Sequence, residues 1–245
     1  MKKLIVAFLL AVTPMLGLAA GGGVPLDDAD IDLSDQASLQ RGAKYFMNYC
    51  LSCHSAKYQR YNRMAKDLGL TEQEVIDNLM FTTDKIGDTM NIAMTTEKGT
   101  EWFGNPPPDL SVIARARGVD WLYTYLRGFY LDEKRPFGVN NRVFPDVGMP
   151  NVLWQLQGDQ KAIYKTEVHN GTETEVLERL EPAGEGTMSP EEFDQVARDI
   201  TAFLSYIGEP IQMERKRLGV WVLLFIAVFF VMSYLLKKEY WKDVH

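Results

Sequence analysis

The 245 residues carry a formal net charge of −7, and residues 20–213 are more acidic still, with 18 Lys and Arg against 30 Asp and Glu, a balance of −12. That excess argues against nucleic acid as a partner and suits a basic soluble protein. Cys50 and Cys53 are the only cysteines, so compartment is read from targeting signals rather than from disulfide use.

Lys2 and Lys3 precede an apolar run over residues 4–12; Pro14 interrupts it, and Gly17-Leu18-Ala19 offers a small-x-small cleavage pattern. This predicts a secretory signal peptide over residues 1–19, cut after Ala19 or Ala20, and an exported segment behind it. Residues 20–36, rich in Gly and Asp, read as an extended arm. Leu39, Ala43, Phe46, Met47 and Cys50 then follow helical spacing. That helix is expected to carry the next motif.

The motif is Cys50-Leu51-Ser52-Cys53-His54. Cys-x-x-Cys-His is the pattern of a c-type haem attachment site. Two thiols on one side of a helical turn add to the two porphyrin vinyls, and the adjacent His54 reaches the iron from one face. A thioredoxin-like redox pair or half a zinc site needs no histidine directly after the second cysteine, and no second ligand pair exists for zinc.

Further helices are predicted from Thr71, which forms a capping box with Glu74, and from about Asp120, with Leu122, Tyr125, Leu126 and Phe129 on one face. Residues 162–169 and 172–180 flank Asn170-Gly171, a β-hairpin signal. Ser189, Pro190 and Glu192 open the best-defined helix. Its stripe is Phe193, Val196, Ala197, Ile200, Leu204 and Ile207, and Gly208 and Pro210 end it. Residues 218–236 hold no charge and lie between Arg215-Lys216-Arg217 and Lys237-Lys238. Nineteen helical residues rise about 28 Å, close to the hydrocarbon thickness, so a membrane span is expected. Both flanks are basic; the export signal sets the orientation, with the body outside and the tail inside.

A haem iron bound by His54 needs a sixth ligand or an open position. His169 sits beside the hairpin turn, and His245 lies in the tail. Among eleven methionines, Met149 is the strongest candidate, set between Gly148 and Pro150 after Phe144-Pro145; Met94 and Met90 are its rivals.

Several segments in fixed order resemble cytochrome c1, the haem-bearing subunit of the cytochrome bc1 complex, in a bacterial form. They are Arg41-Gly42 before the haem motif, Pro107-Pro108-Asp109-Leu110-Ser111 continuing to Arg115-Ala116-Arg117, and Phe144-Pro145 followed by Gly148-Met149-Pro150. Thr187-Met188-Ser189, Val196-Ala197-x-Asp199, Phe203-Leu204, Glu209-Pro210 and Arg215-Lys216-Arg217-Leu218-Gly219 complete the set. The resemblance departs at Val147-Gly148 before the methionine and Asn151 after it.

The resemblance implies a mainly α fold: a cytochrome c-like haem domain with long loops and a small β-hairpin, plus one C-terminal transmembrane helix. It implies one covalent haem c on Cys50 and Cys53, with His54 and Met149 as axial ligands. Arg117 would lie beside a haem propionate, and Pro107 and Pro108 would line the crevice. The expected organisation is a signal peptide (1–19), a periplasmic haem domain (20–213), an inner-membrane anchor with basic flanks (214–238) and a cytoplasmic tail (239–245). The implied function is electron carriage without a catalytic residue of its own. Electrons would pass from a Rieske iron–sulfur subunit to a soluble or tethered c-type cytochrome, beside cytochrome b, in a dimeric ubiquinol:cytochrome c oxidoreductase. An anchored cytochrome serving another terminal oxidase or peroxidase, and a haem gas sensor, are the competing readings.

Overall fold

The computed structural model describes residues 24–169 and 172–243. The signal peptide, the Asn170-Gly171 turn and His245 lie outside the described residues.

Helix α1 (Gln36–Tyr45) begins where the Asp35 side chain accepts from the Ser38 N–H. The sequence predicts one helix into the haem motif, but regular α geometry ends at Tyr45. Residues Phe46–Cys50 form a π turn, in which the Leu51 N–H reaches the Phe46 carbonyl at 2.9 Å. One residue is thereby inserted into the ladder immediately before the motif, a distortion common at functional sites.

Strand β1 (Ala56–Arg60) pairs antiparallel with β2 (Thr89–Met90), and α2 (Tyr61–Asp67) and α3 (Glu72–Leu79) lie between them. The Thr71–Glu74 capping box is formed as the sequence predicts. Next come α4 (Thr96–Phe103), the short α5 (Ile113–Arg117) and α6 (Val119–Arg127). Gly128 ends α6, so Phe129, which the sequence places on this helix, instead opens β3 (Phe129–Leu131), paired with β4 (Val139–Asn141). A single turn, α7 (Trp154–Gln157), leads into the long hairpin β5 (Gln160–His169) and β6 (Thr172–Pro182). The β1–β2 and β3–β4 pairings are invisible to periodicity, because β2, β3 and β4, of two or three residues each, carry no alternation.

Helix α8 (Pro190–Gly208) has the predicted Ser189–Glu192 capping box and buries its apolar stripe. It crosses α1 and the π turn after it, where Phe46 meets Phe203 with ring centroids 5.4 Å apart. Gly42 makes the approach possible: a Cβ there would collide with the Asp199 carbonyl and lie 2.8 Å from Phe203 Cβ. The arm runs over α6 and α8, its Ala29 fully buried; Ala29 N–H donates to Asp120 Oδ1 and Ala29 O accepts from Arg198 Nε, both at 3.0 Å.

Helix α9 (Gln212–Tyr240) is long and apolar enough to cross a membrane, and none of its residues is buried. A free-standing helix that exposes Leu, Val and Phe on every side requires an apolar surrounding.

Candidate functional site

The Cys50–His54 segment folds as a tight turn, with Cys53 and His54 N–H groups bonding the Cys50 carbonyl at 3.0 and 2.9 Å. Both cysteines are free thiols. Burial, and secondarily the neighbouring Cys53, pushes the Cys50 thiol up to about 12. A redox-active pair needs the opposite, a thiolate near neutral pH.

His54 is fixed from the other side. Its Nδ1 lies 2.7 Å from the Pro108 carbonyl oxygen. A carbonyl can only accept, so Nδ1 holds the proton and Nε2 is left with its lone pair. That is the tautomer of a metal-ligating histidine with an oriented second nitrogen. Burial holds the imidazolium form below its ordinary range, although the Pro108 contact and Asp109 pull the other way. Among the described residues, no group of three or more His, Cys, Asp and Glu gathers that could hold a metal ion. The two thiols and the neutral imidazole fit a c-type haem.

The residues after the motif are laced to the proline segment. Ser55 O accepts from Leu110 N–H at 2.8 Å, and Ser55 Oγ accepts from Ile92 N–H at 3.1 Å. Lys57 N–H donates to Asp109 Oδ2 at 3.0 Å, and Tyr58 N–H to Ser111 Oγ at 3.1 Å. Two stretches more than fifty residues apart thus run side by side, with their backbone groups satisfied by short polar side chains. Ser55, Asp109 and Ser111 had no assigned role in the sequence. The signal available was the turn propensity of Asp109, whose Oδ1 accepts from Ser111 N–H two residues on, at 2.9 Å.

Pro107 packs against α4: a Cβ at Gly99 would lie 2.9 Å from Pro107 Cδ and 3.4 Å from Met94 Sδ. The same helix meets the Met149 loop, since a Cβ at Gly148 would lie 3.3 Å from the Phe103 carbonyl. Helix α4 therefore joins the proline segment to the methionine loop. Met90 is fully buried in β2 opposite Ala56 and belongs to the core.

Arg117 and Met149 share one aromatic wall. The Arg117 guanidinium sits 5.1 Å from the Trp121 ring centre and 5.7 Å from that of Phe144. Trp121 stacks on Tyr125 at 5.0 Å, and the Tyr125 hydroxyl donates to Met149 Sδ at 3.3 Å. Burial raises the Tyr125 hydroxyl far above its ordinary range, so it keeps the proton it donates. Arg117 is exposed at the end of α5 and held by ring faces; among the described residues no carboxylate pairs with it. Its charge is available to an anionic group such as a propionate. The sequence marks Tyr125 only as part of a helical face and Phe144 only as part of a motif, and it gives Trp121 no role.

Residues 29–244 match the Cytochrome C1 family. The chain belongs to this family. It is 55% identical over 245 residues to cytochrome c1 of Allochromatium vinosum, with both chains covered completely. It is 47% identical over 244 residues to a Nitrosomonas europaea protein named ammonia monooxygenase gamma subunit, covering 100% of this chain and 98% of that one. Cytochrome c1 of Rhodospirillum rubrum is 28% identical over 271 residues, covering 93% and 94%. Membership makes the chain a haem-bearing electron carrier of a respiratory complex, and α9 is its candidate membrane anchor.

Proposed function

We propose that the chain holds one haem c through Cys50 and Cys53, with His54 and Met149 as axial ligands. In this reading it passes single electrons from a Rieske iron–sulfur subunit to a c-type cytochrome within a quinol-oxidising complex that includes cytochrome b. The observation that carries the site assignment is the 2.7 Å contact between His54 Nδ1 and Pro108 O, which leaves Nε2 as a neutral donor.

A bound haem supplies a reversible one-electron couple, and thioether ligation favours its reduced form. The chain's own residues do the rest. Ser55, Asp109 and Ser111 hold the His54 segment against the proline segment. Arg117 offers a delocalised charge that persists at any working pH. Residues 20–213 form the exported periplasmic body, α9 crosses the inner membrane once, and the residues after it face the cytoplasm, within a dimeric complex.

Gentle detergent extraction of membranes, followed by pull-down of the tagged chain, tests the reading. The expected result is co-purification of a cytochrome b and an iron–sulfur subunit, with haem retained on the denatured chain. One relative bears the name of an ammonia monooxygenase subunit. Recovery with such an enzyme, or with a terminal oxidase or peroxidase, and without cytochrome b, would overturn the assignment.

A further inference from the structure

The Met149 loop is tied to helix α6 at one residue, twice. The Tyr125 carbonyl accepts from Asn141 Nδ2 at 2.9 Å. Asn141, 1% exposed, uses its Oδ1 to hold the Val143 and Phe144 N–H groups at 3.0 and 3.3 Å. Further along the loop, the Tyr125 hydroxyl donates to Met149 Sδ at 3.3 Å. The start of the loop and its methionine are thus both referenced to the same helical position.

The ring that delivers this hydroxyl is itself fixed. It stacks on Trp121 with centroids 5.0 Å apart and planes 11° apart, and meets Phe129 edge-on at 5.2 Å and 71°. Methionine is a flexible side chain with three rotatable bonds and a weakly accepting sulfur. A donor at a fixed point selects one orientation of such a thioether. The sulfur has two lone pairs, so one can take the Tyr125 proton while the other remains a metal donor. The hydrogen bond also draws electron density from the sulfur, which disfavours an oxidised metal more than a reduced one.

We propose that Tyr125 is a positioning residue for Met149: its hydroxyl aims the thioether and weakens its electron donation, raising the reduction potential of the haem site. This rests on Met149 being the sixth ligand.

The full chain, purified in detergent with the subunits that accompany it, is compared as parent, Tyr125→Phe, Tyr125→Leu and Met149→Leu. The readouts are the midpoint potential and the far-red sulfur-to-iron charge-transfer band. Tyr125→Phe keeps the ring stacked on Trp121 and removes only the hydroxyl. It should move the band and lower the potential, by a shift equivalent to roughly two- to tenfold in the reduced-to-oxidised ratio, the range one net hydrogen bond spans. Tyr125→Leu should shift the potential in the same direction. Loss of the band in Met149→Leu, with no change of band or potential in Tyr125→Phe, overturns the role of Tyr125 and leaves the ligand assignment standing. A shift in the Leu variant alone assigns Tyr125 to packing and overturns the proposal equally. A band that survives Met149→Leu overturns the ligand assignment and this proposal together.

Discussion

Asp199, 1% exposed on α8, accepts a bidentate pair from Arg41 on α1, at 2.6 Å from Nε and 3.0 Å from the terminal nitrogen. Ser38 Oγ at 2.6 Å and Gln195 Nε2 at 2.8 Å complete its shell. A buried carboxylate held this way fixes the rotation of α1 against α8, and α1 leads through the π turn into the haem motif. The Asp199 contact raises the Arg41 guanidinium above its ordinary range, so Arg41 stays charged at any working pH. Replacing Arg41 by Ala leaves that carboxylate buried with only neutral donors. Because the Arg41 side chain is itself 45% exposed, a loss of roughly 1–3 kcal/mol, below that of a fully buried pair, is expected in chemical denaturation. A loss under about 1 kcal/mol would mean that Ser38 and Gln195 suffice.

At the same crossing, Gly42→Val forces the Asp199 backbone and Phe203 apart. Overpacking of this kind costs about 1–3 kcal/mol. The expected result is a lower melting temperature with the haem spectrum retained. An unchanged melting temperature would show that the two helices separate freely.

Cys50 and Cys53 should both carry the covalent link. Replacing both with Ala should remove haem from the denatured chain on a haem-stained gel. Haem that still migrates with the variant would refute the thioether assignment.

The anchor should be separable from the redox body. No residue of α9 is buried, and the core is closed by α1 and α8 without it. A chain ending at Met213 should be recovered in the periplasm as a soluble protein with its haem in place. Recovery in washed membranes lacking the other subunits would point to a second membrane contact.

The acidic face should steer a basic electron carrier, through fewer charges than the sequence suggests. Glu173, Glu175, Glu178, Glu181, Glu185, Glu191 and Glu192 form the densest acidic stretch. Arg179 pairs with both Glu178 and Glu181 at 2.6 and 2.8 Å, and Lys161 also approaches Glu181. Glu192 is committed to the Ser189 cap. Glu173, Glu175, Glu185 and Glu191 remain as the exposed charges to neutralise. Exposed charges farther apart than about 10 Å are largely screened at about 0.1 M salt. Stopped-flow electron transfer to a basic soluble cytochrome should therefore slow as salt rises, with the midpoint potential unchanged. Converting those four residues to Gln should flatten the slope. A parent rate independent of salt would end the steering idea, and an unchanged slope in the variant would move it to another acidic patch.

The residue sequence alone determined what depends on neighbours in the chain. The Cys50–His54 spacing, the Thr71 and Ser189 capping boxes, the apolar stripe of α8 and the charge-free run of 218–236 all act within a few residues. Local chemistry fixes them, so they are legible without a fold. Tertiary structure decided what depends on approach across the chain: the Pro108 carbonyl that sets the His54 tautomer, the Arg41–Asp199 lock, and the Tyr125 hydroxyl at Met149. It also decided the π turn at Phe46–Cys50 and the end of α6 before Phe129. One inserted residue or one early strand changes no composition and no periodicity. Such contacts are selected by which backbone polar groups and side chains become neighbours once the core closes, and that information belongs to the packed chain as a whole.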